Sequence, residues 1–147
     1  MMCPAPLLVA VGGALGAVSR YALSSFIANR YKAQETLTRK VLPLGTMTVN
    51  IIGSFLIGFL TALIALIRWS LRFEPKSYVD AHATFLTLLL VTGFCGGFTT
   101  FSTAIVDAVE LARQGYRRAA WTSVIVTLIP AFIALNLGLA AVRLFAP

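Results

Sequence analysis

Charge is scarce in this chain. Lys, Arg, Asp and Glu together make up 12% of its 147 residues, against about 25% in a typical soluble domain. Acidic residues are rarest, five against twelve Lys and Arg. There is a single histidine, His82, and the two cysteines, Cys3 and Cys95, form no C-x-x-C spacing. A zinc site, a haem site and a disulfide framework are therefore not expected. Nor do the apolar blocks carry paired acids, an acid–histidine relay or a nucleophile beside a base. That argues against an enzyme and against a proton-driven carrier. Cys95 reads as a small packing residue.

What the chain does have is apolar length. Hydrophobic residues make up 59% of it and the mean hydropathy is +0.87, so it reads as an integral membrane protein of one domain covering residues 1–147. The fold class expected is an all-α membrane protein with four transmembrane helices. The spans fall at residues 5–28, 43–68, 82–112 and 119–143, each carrying about the 20 apolar residues that cross a bilayer. The first lacks the basic start of a signal peptide, and its apolar run is too long for one, so it is read as retained. Pro43 suits the first turn of the second span, and Pro130 is placed to kink the fourth. The net charge of +7 lies between the apolar blocks rather than on one face. It points to lipid headgroups, not to nucleic acid.

Four spans place both termini on one side of a membrane. Arg68, Arg72, Lys76 and Arg143 lie on the terminal side, and Arg30, Lys32, Arg39, Lys40, Arg113, Arg117 and Arg118 on the other. Seven against four gives a modest preference for a cytoplasmic location of the second group. A bundle of four has little interior, so any polar pathway must run along helix surfaces that a partner subunit covers. Small residues one turn apart, Gly12 and Gly16, Gly13 and Ala17, Ser54 and Gly58, fit either packing inside the chain or a seam between copies.

The third span contains Gly93-Phe94-Cys95-Gly96-Gly97-Phe98-Thr99-Thr100-Phe101-Ser102-Thr103. Two adjacent glycines disfavour helix by about 1 kcal/mol each relative to alanine, which predicts a break near residues 95–99. In hydrocarbon such a break survives only when it is packed in protein or lines a wet cavity. The carbonyls it frees can hold a sodium ion, and a plain kink is the blander alternative. In the second span Thr46, Asn50 and Ser54 share one stripe. The Asn50 amide offers two donors and the hydroxyls one each, for a pathway or for gluing helices. Phe94, Phe98 and Phe101 recur at helical spacing, which for the first two reads as packing. Phe101, bracketed by hydroxyls, can turn its positive edge to an anion. Thr100, Thr103 and Asp107 align once the helix resumes. Arg20 shares the face of Gly12 and Gly16, and a guanidinium in a span normally faces protein or water. It reads as a vestibule charge, a structural ion pair or a snorkelling side chain. A lining rich in donors and poor in acids favours passive conduction of an anion.

Three segments resemble the bacterial fluoride channel family (Fluc, also called CrcB): Gly12-Gly13-x-x-Gly16-Ala17-x-x-Arg20-Tyr21, Gly45-Thr46-x-x-Val49-Asn50-x-x-Gly53 and Gly93–Thr103. The resemblance covers essentially the whole chain. It implies an antiparallel, dual-topology homodimer in the cell inner membrane, with two fluoride pores and one structural sodium ion at the dimer interface. It also implies passive export that relieves fluoride toxicity. By motif, Asn50 resembles the pore amide, Phe101 the first pore phenylalanine, and Ser102 and Thr103 the hydroxyls beside it. Thr127 resembles a pore hydroxyl on the fourth helix, and Arg20 the first-helix arginine. Gly96 and Thr99 resemble the residues whose backbone carbonyls hold sodium. Where the family commonly has a second phenylalanine this chain has Ala104, with Phe98 the ring available to stand in. Ser123, with Trp121 nearby, falls where the family often has a tyrosine. The rival readings are a small dual-topology proton-coupled exporter and a non-conducting structural subunit. Fluoride is small and strongly hydrated, so a selective path must replace its water with closely spaced donors.

Overall fold

The computed structural model describes residues 5–32, 43–71, 73 and 75–144. The regular structure among these residues is all helical, with no strand, and four helical stretches are long and apolar enough to cross a membrane. Helix α1 is Ala5–Lys32 and α2 is Leu44–Ser70. The third span, Lys76–Arg113, is composite. It begins as α3 (Lys76–Leu86), widens into a π-helix over Thr87–Cys95, tightens to one turn at Gly96–Phe98, and resumes as α4 (Phe101–Arg113). Helix α5 is Arg117–Arg143 and runs through Pro130 without interruption. The four spans are built on apolar runs that carry few charges, and a backbone in hydrocarbon must satisfy its polar groups within its own segment.

The ends of these helices have local causes. Pro43 sits just before α2 rather than in its first turn, and its carbonyl accepts from Met47 N–H at 3.1 Å. Helix α4 closes where Gly115 takes φ 89°, a left-handed conformation that glycine tolerates. There Tyr116 N–H donates to the Leu111 carbonyl and Gly115 N–H to that of Ala112, which satisfies the last free carbonyls. Beyond this turn Ala120 and Val124 of α5 pack on Ala108 and Leu111 of α4. Arg68 at the end of α2 pairs with Asp80 of α3 at 2.5 Å. Of the polar loop expected over residues 29–40, residues 29–32 continue α1, while Arg39 and Lys40 lie outside the described residues.

Glycines bring the helices together. A Cβ on Gly12 would overlap the Leu89 carbonyl, one on Gly16 the Phe94 carbonyl, and one on Gly97 the Gly13 carbonyl. Helix α1 therefore lies directly against the backbone of the third span. Gly58 meets the Leu135 carbonyl in the same way and Gly138 meets that of Phe55, which joins α2 to α5. So Gly12, Gly16 and Gly58 serve packing within the chain. Gly138, the counterpart of Gly58, follows Ala134 at the same small-residue spacing. In none of the four spans is more than 22% of the most apolar window buried inside the chain. The remaining apolar surface requires lipid or another protein.

A broken third helix as the candidate site

The chain leaves helix at Thr99 (φ −81°, ψ 156°) and Thr100 (φ −153°, ψ 115°). The glycine doublet is not itself the opening. Gly96 is helical at φ −63°, ψ −38°, and Gly97 lies in the helical turn that follows. The cost of glycine in a helix is about 1 kcal/mol, too little to break one whose other hydrogen bonds are intact. What opens the chain is competition for its hydrogen bonds. In a continuous helix Thr100 N–H would donate to the Gly96 carbonyl; here it donates to Asn50 Oδ1 at 2.8 Å. Thr103 N–H would donate to the Thr99 carbonyl; here it donates to the Thr100 hydroxyl at 3.2 Å, which makes Thr100 the N-cap of α4. The Gly96 and Thr99 carbonyls thus both lose their helical donors to side chains.

Asn50, 8% exposed, closes the exchange by donating Nδ2–H to the Thr100 carbonyl at 2.8 Å. One peptide unit is held at both ends by one amide. An amide NH₂ carries two hydrogens, so a single donor remains on Asn50 for any ion. On the N-terminal side of the break, Thr99 N–H and Thr99 Oγ–H both donate to the Cys95 carbonyl at 2.9 Å. One turn before Asn50, Thr46 donates to Asp107 Oδ2 at 2.8 Å. The Asp107 carboxylate is therefore tied to the same stripe of α2. That link joins residues 61 apart and has no local signature.

The other residues singled out in the sequence divide into exposed and committed groups. Phe101 is 62% exposed, and Ser102 and Thr103 beside it are exposed as well. Ser102 makes no hydrogen bond among the described residues, whereas the Thr103 hydroxyl lies 2.9 Å from that of Thr100. Gly96 is also exposed. Thr127 is elsewhere in character: it is 4% exposed, and its hydroxyl donates to the Ser123 carbonyl at 2.7 Å. Ser123 in turn donates to the Ala120 carbonyl at 2.8 Å. Both hydroxyls are spent within α5. Arg20 is half-buried, one turn beyond Gly16, and has no hydrogen-bond or ion-pair partner among the described residues. The structural ion pair considered for it does not form within those residues.

Phe98 does not stand in for a second ring beside Phe101. It is 4% exposed and stacks on Phe94 with centroids 5.8 Å apart and planes 10° from parallel. The break separates Phe101 from that pair and turns it outward. Ala104, one turn further on, is buried.

The arrangement can do two things chemically. It presents carbonyl oxygens without helical donors at Gly96 and Thr99, neutral and hard, a donor set suited to a monovalent cation. It also presents the exposed ring of Phe101, a Ser102 hydroxyl without a partner among the described residues and, across on α2, the spare amide hydrogen of Asn50, each suited to an anion.

Comparison with known proteins agrees with the three motifs. Residues 7–139 match the family described as CrcB-like protein, Camphor Resistance (CrcB). A protein of Chlorobium chlorochromatii named "Fluoride-specific ion channel FluC" is 40% identical over 140 residues, 93% of this chain and 91% of its own. One of Francisella philomiragia with the same name is 36% identical over 132 residues, 90% and 89% of the two chains. A Francisella tularensis protein of that name matches at the same identity and coverage. With four spans, a broken third helix and likeness along nearly its full length, the chain belongs to the CrcB family.

Proposed function

We propose that this chain is a passive, fluoride-selective channel of the cell inner membrane, not an enzyme, that exports fluoride from the cytoplasm and works as an antiparallel homodimer. One observation carries the reading: the break at Thr99–Thr100 is held open by Asn50 and leaves Phe101, Ser102 and Thr103 exposed on the surface of the chain. A Ser102 hydroxyl without a partner among the described residues is costly against lipid, and a second copy laid over this surface would enclose a narrow polar path. The names of the relatives supply the anion. Fluoride would meet the remaining Asn50 donor, the Ser102 and Thr103 hydroxyls and the edge of Phe101. Thr127 would contribute only by releasing Ser123. Arg20, half-buried and without an ion-pair partner among the described residues, would raise the local concentration of anions at the mouth. The carbonyls of Gly96 and Thr99, from both copies, would hold a structural sodium ion, whose charge would offset those oxygens at the seam.

The test is made in bacterial cells stripped of their own means of clearing fluoride. Expression of the chain is expected to restore growth in fluoride at mildly acidic pH and to lower cell-associated fluoride. Unchanged fluoride accumulation would contradict export. Proton uptake triggered by substrate in purified vesicles would favour the proton-coupled exporter instead.

A further inference from the structure

Gly53 lies one turn after Asn50 on α2, facing the break. A Cβ built there would overlap the Thr99 Cγ2 methyl and come within 3.1 Å of Phe98 Cδ1. At most glycines of this chain the obstacle is backbone of a neighbouring helix; here it is the methyl of one threonine. That methyl cannot simply swing aside. Threonine is β-branched and stiff about χ1, and its Oγ is already fixed by donation to the Cys95 carbonyl at 2.9 Å. Turning the side chain breaks that bond, and keeping it moves the backbone of Thr99. The Phe98 ring, by contrast, can give by a few tenths of an ångström.

From this geometry we infer that Gly53 is a positioning residue: the notch it leaves on α2 receives the Thr99 methyl and sets where the Thr99 carbonyl points. Asn50 and Gly53, three residues apart on one face of α2, then act on successive residues of the break. Asn50 grips the Thr100 peptide by hydrogen bonds, and Gly53 seats Thr99 by shape. The chain-entropy cost of a glycine within a helix is accepted at position 53 for this contact. The consequence for fluoride flux rests on the proposed channel activity; the consequence for the fold does not.

The experiment is a double-mutant cycle in the full-length protein reconstituted in lipid. Gly53→Ala is expected to lower the melting temperature and to reduce fluoride efflux on the order of tenfold or more, since small displacements at a working site can cost up to about a hundredfold. Thr99→Ser removes Cγ2 and keeps the hydroxyl, so Gly53→Ala/Thr99→Ser should recover toward Thr99→Ser alone in both measurements. Gly53→Ala/Thr99→Val keeps a branched side chain and should not recover. Should Gly53→Ala fail to fold, recovery of folded protein in the serine double variant supports the inference, and failure of both overturns it. A serine double variant no better than Gly53→Ala, or Gly53→Ala behaving as wild type, also overturns it. Wild-type protein that carries no fluoride would sink the channel reading, while the melting temperatures would still decide the role of Gly53.

Discussion

Asn50 shows how much a single polar side chain can decide inside a membrane. Both ends of its amide serve the half-buried Thr100 residue, so its removal strands an N–H and a C=O at once. An unsatisfied buried group costs about 1–3 kcal/mol, and Asn50→Leu is expected to lower the melting temperature as well as stop flux. Asn50→Asp keeps the acceptor but loses the donor and places a carboxylate beside the path; it should abolish fluoride efflux, and undiminished efflux would place Asn50 outside the path. The hydroxyls differ in the same terms. Ser102 has no hydrogen-bond partner among the described residues, whereas the Thr127 donor is already spent on Ser123. Ser102→Ala should therefore slow fluoride efflux more than Thr127→Val does, as an ion-selective electrode would record. Equal effects would mean that Thr127 leaves its helical partner during conduction.

At the scale of elements, the spans were legible because twenty apolar residues without charge have few alternatives to a membrane helix. The region of the break was legible from Gly96-Gly97 and the crowd of hydroxyls, but its cause was not. Glycine was expected to open the helix through its own conformational freedom; the structure keeps both glycines helical and opens the chain two to three residues later. The deciding groups are Asn50, on another helix, and the Thr100 hydroxyl, whose N-cap role depends on that opening. A partner 50 residues away leaves no periodicity to read. The π-helix over Thr87–Cys95 likewise has no local signature, although such widenings often accompany functional sites. The doublet has a different task, and its two members separate cleanly. Gly97→Ala would drive a methyl into the Gly13 carbonyl, so it should destabilise the fold by roughly the 1–3 kcal/mol of an overpacked contact. Gly96→Ala meets nothing within 4 Å, and thermal melting of the two variants should differ accordingly.

The whole molecule looks incomplete as a single copy. Gly96, Phe101, Ser102 and Thr103 are exposed on a span that should face either lipid or protein, and the apolar surface of the chain is largely uncovered. A second copy laid across that segment would cover the ring of Phe101, the bare hydroxyls and the Gly96 carbonyl together. Gly96→Ala, harmless within one chain, is then expected to weaken self-association when measured by cross-linking in lipid at increasing dilution; an unchanged dimer would move the seam elsewhere. The most direct measurement of the central claim uses wild-type protein in liposomes loaded with fluoride or chloride, with a potassium ionophore to carry the balancing charge. Rapid, ionophore-dependent fluoride release with far slower chloride release is the predicted result, and equal rates for the two anions, or no release of either, would contradict it.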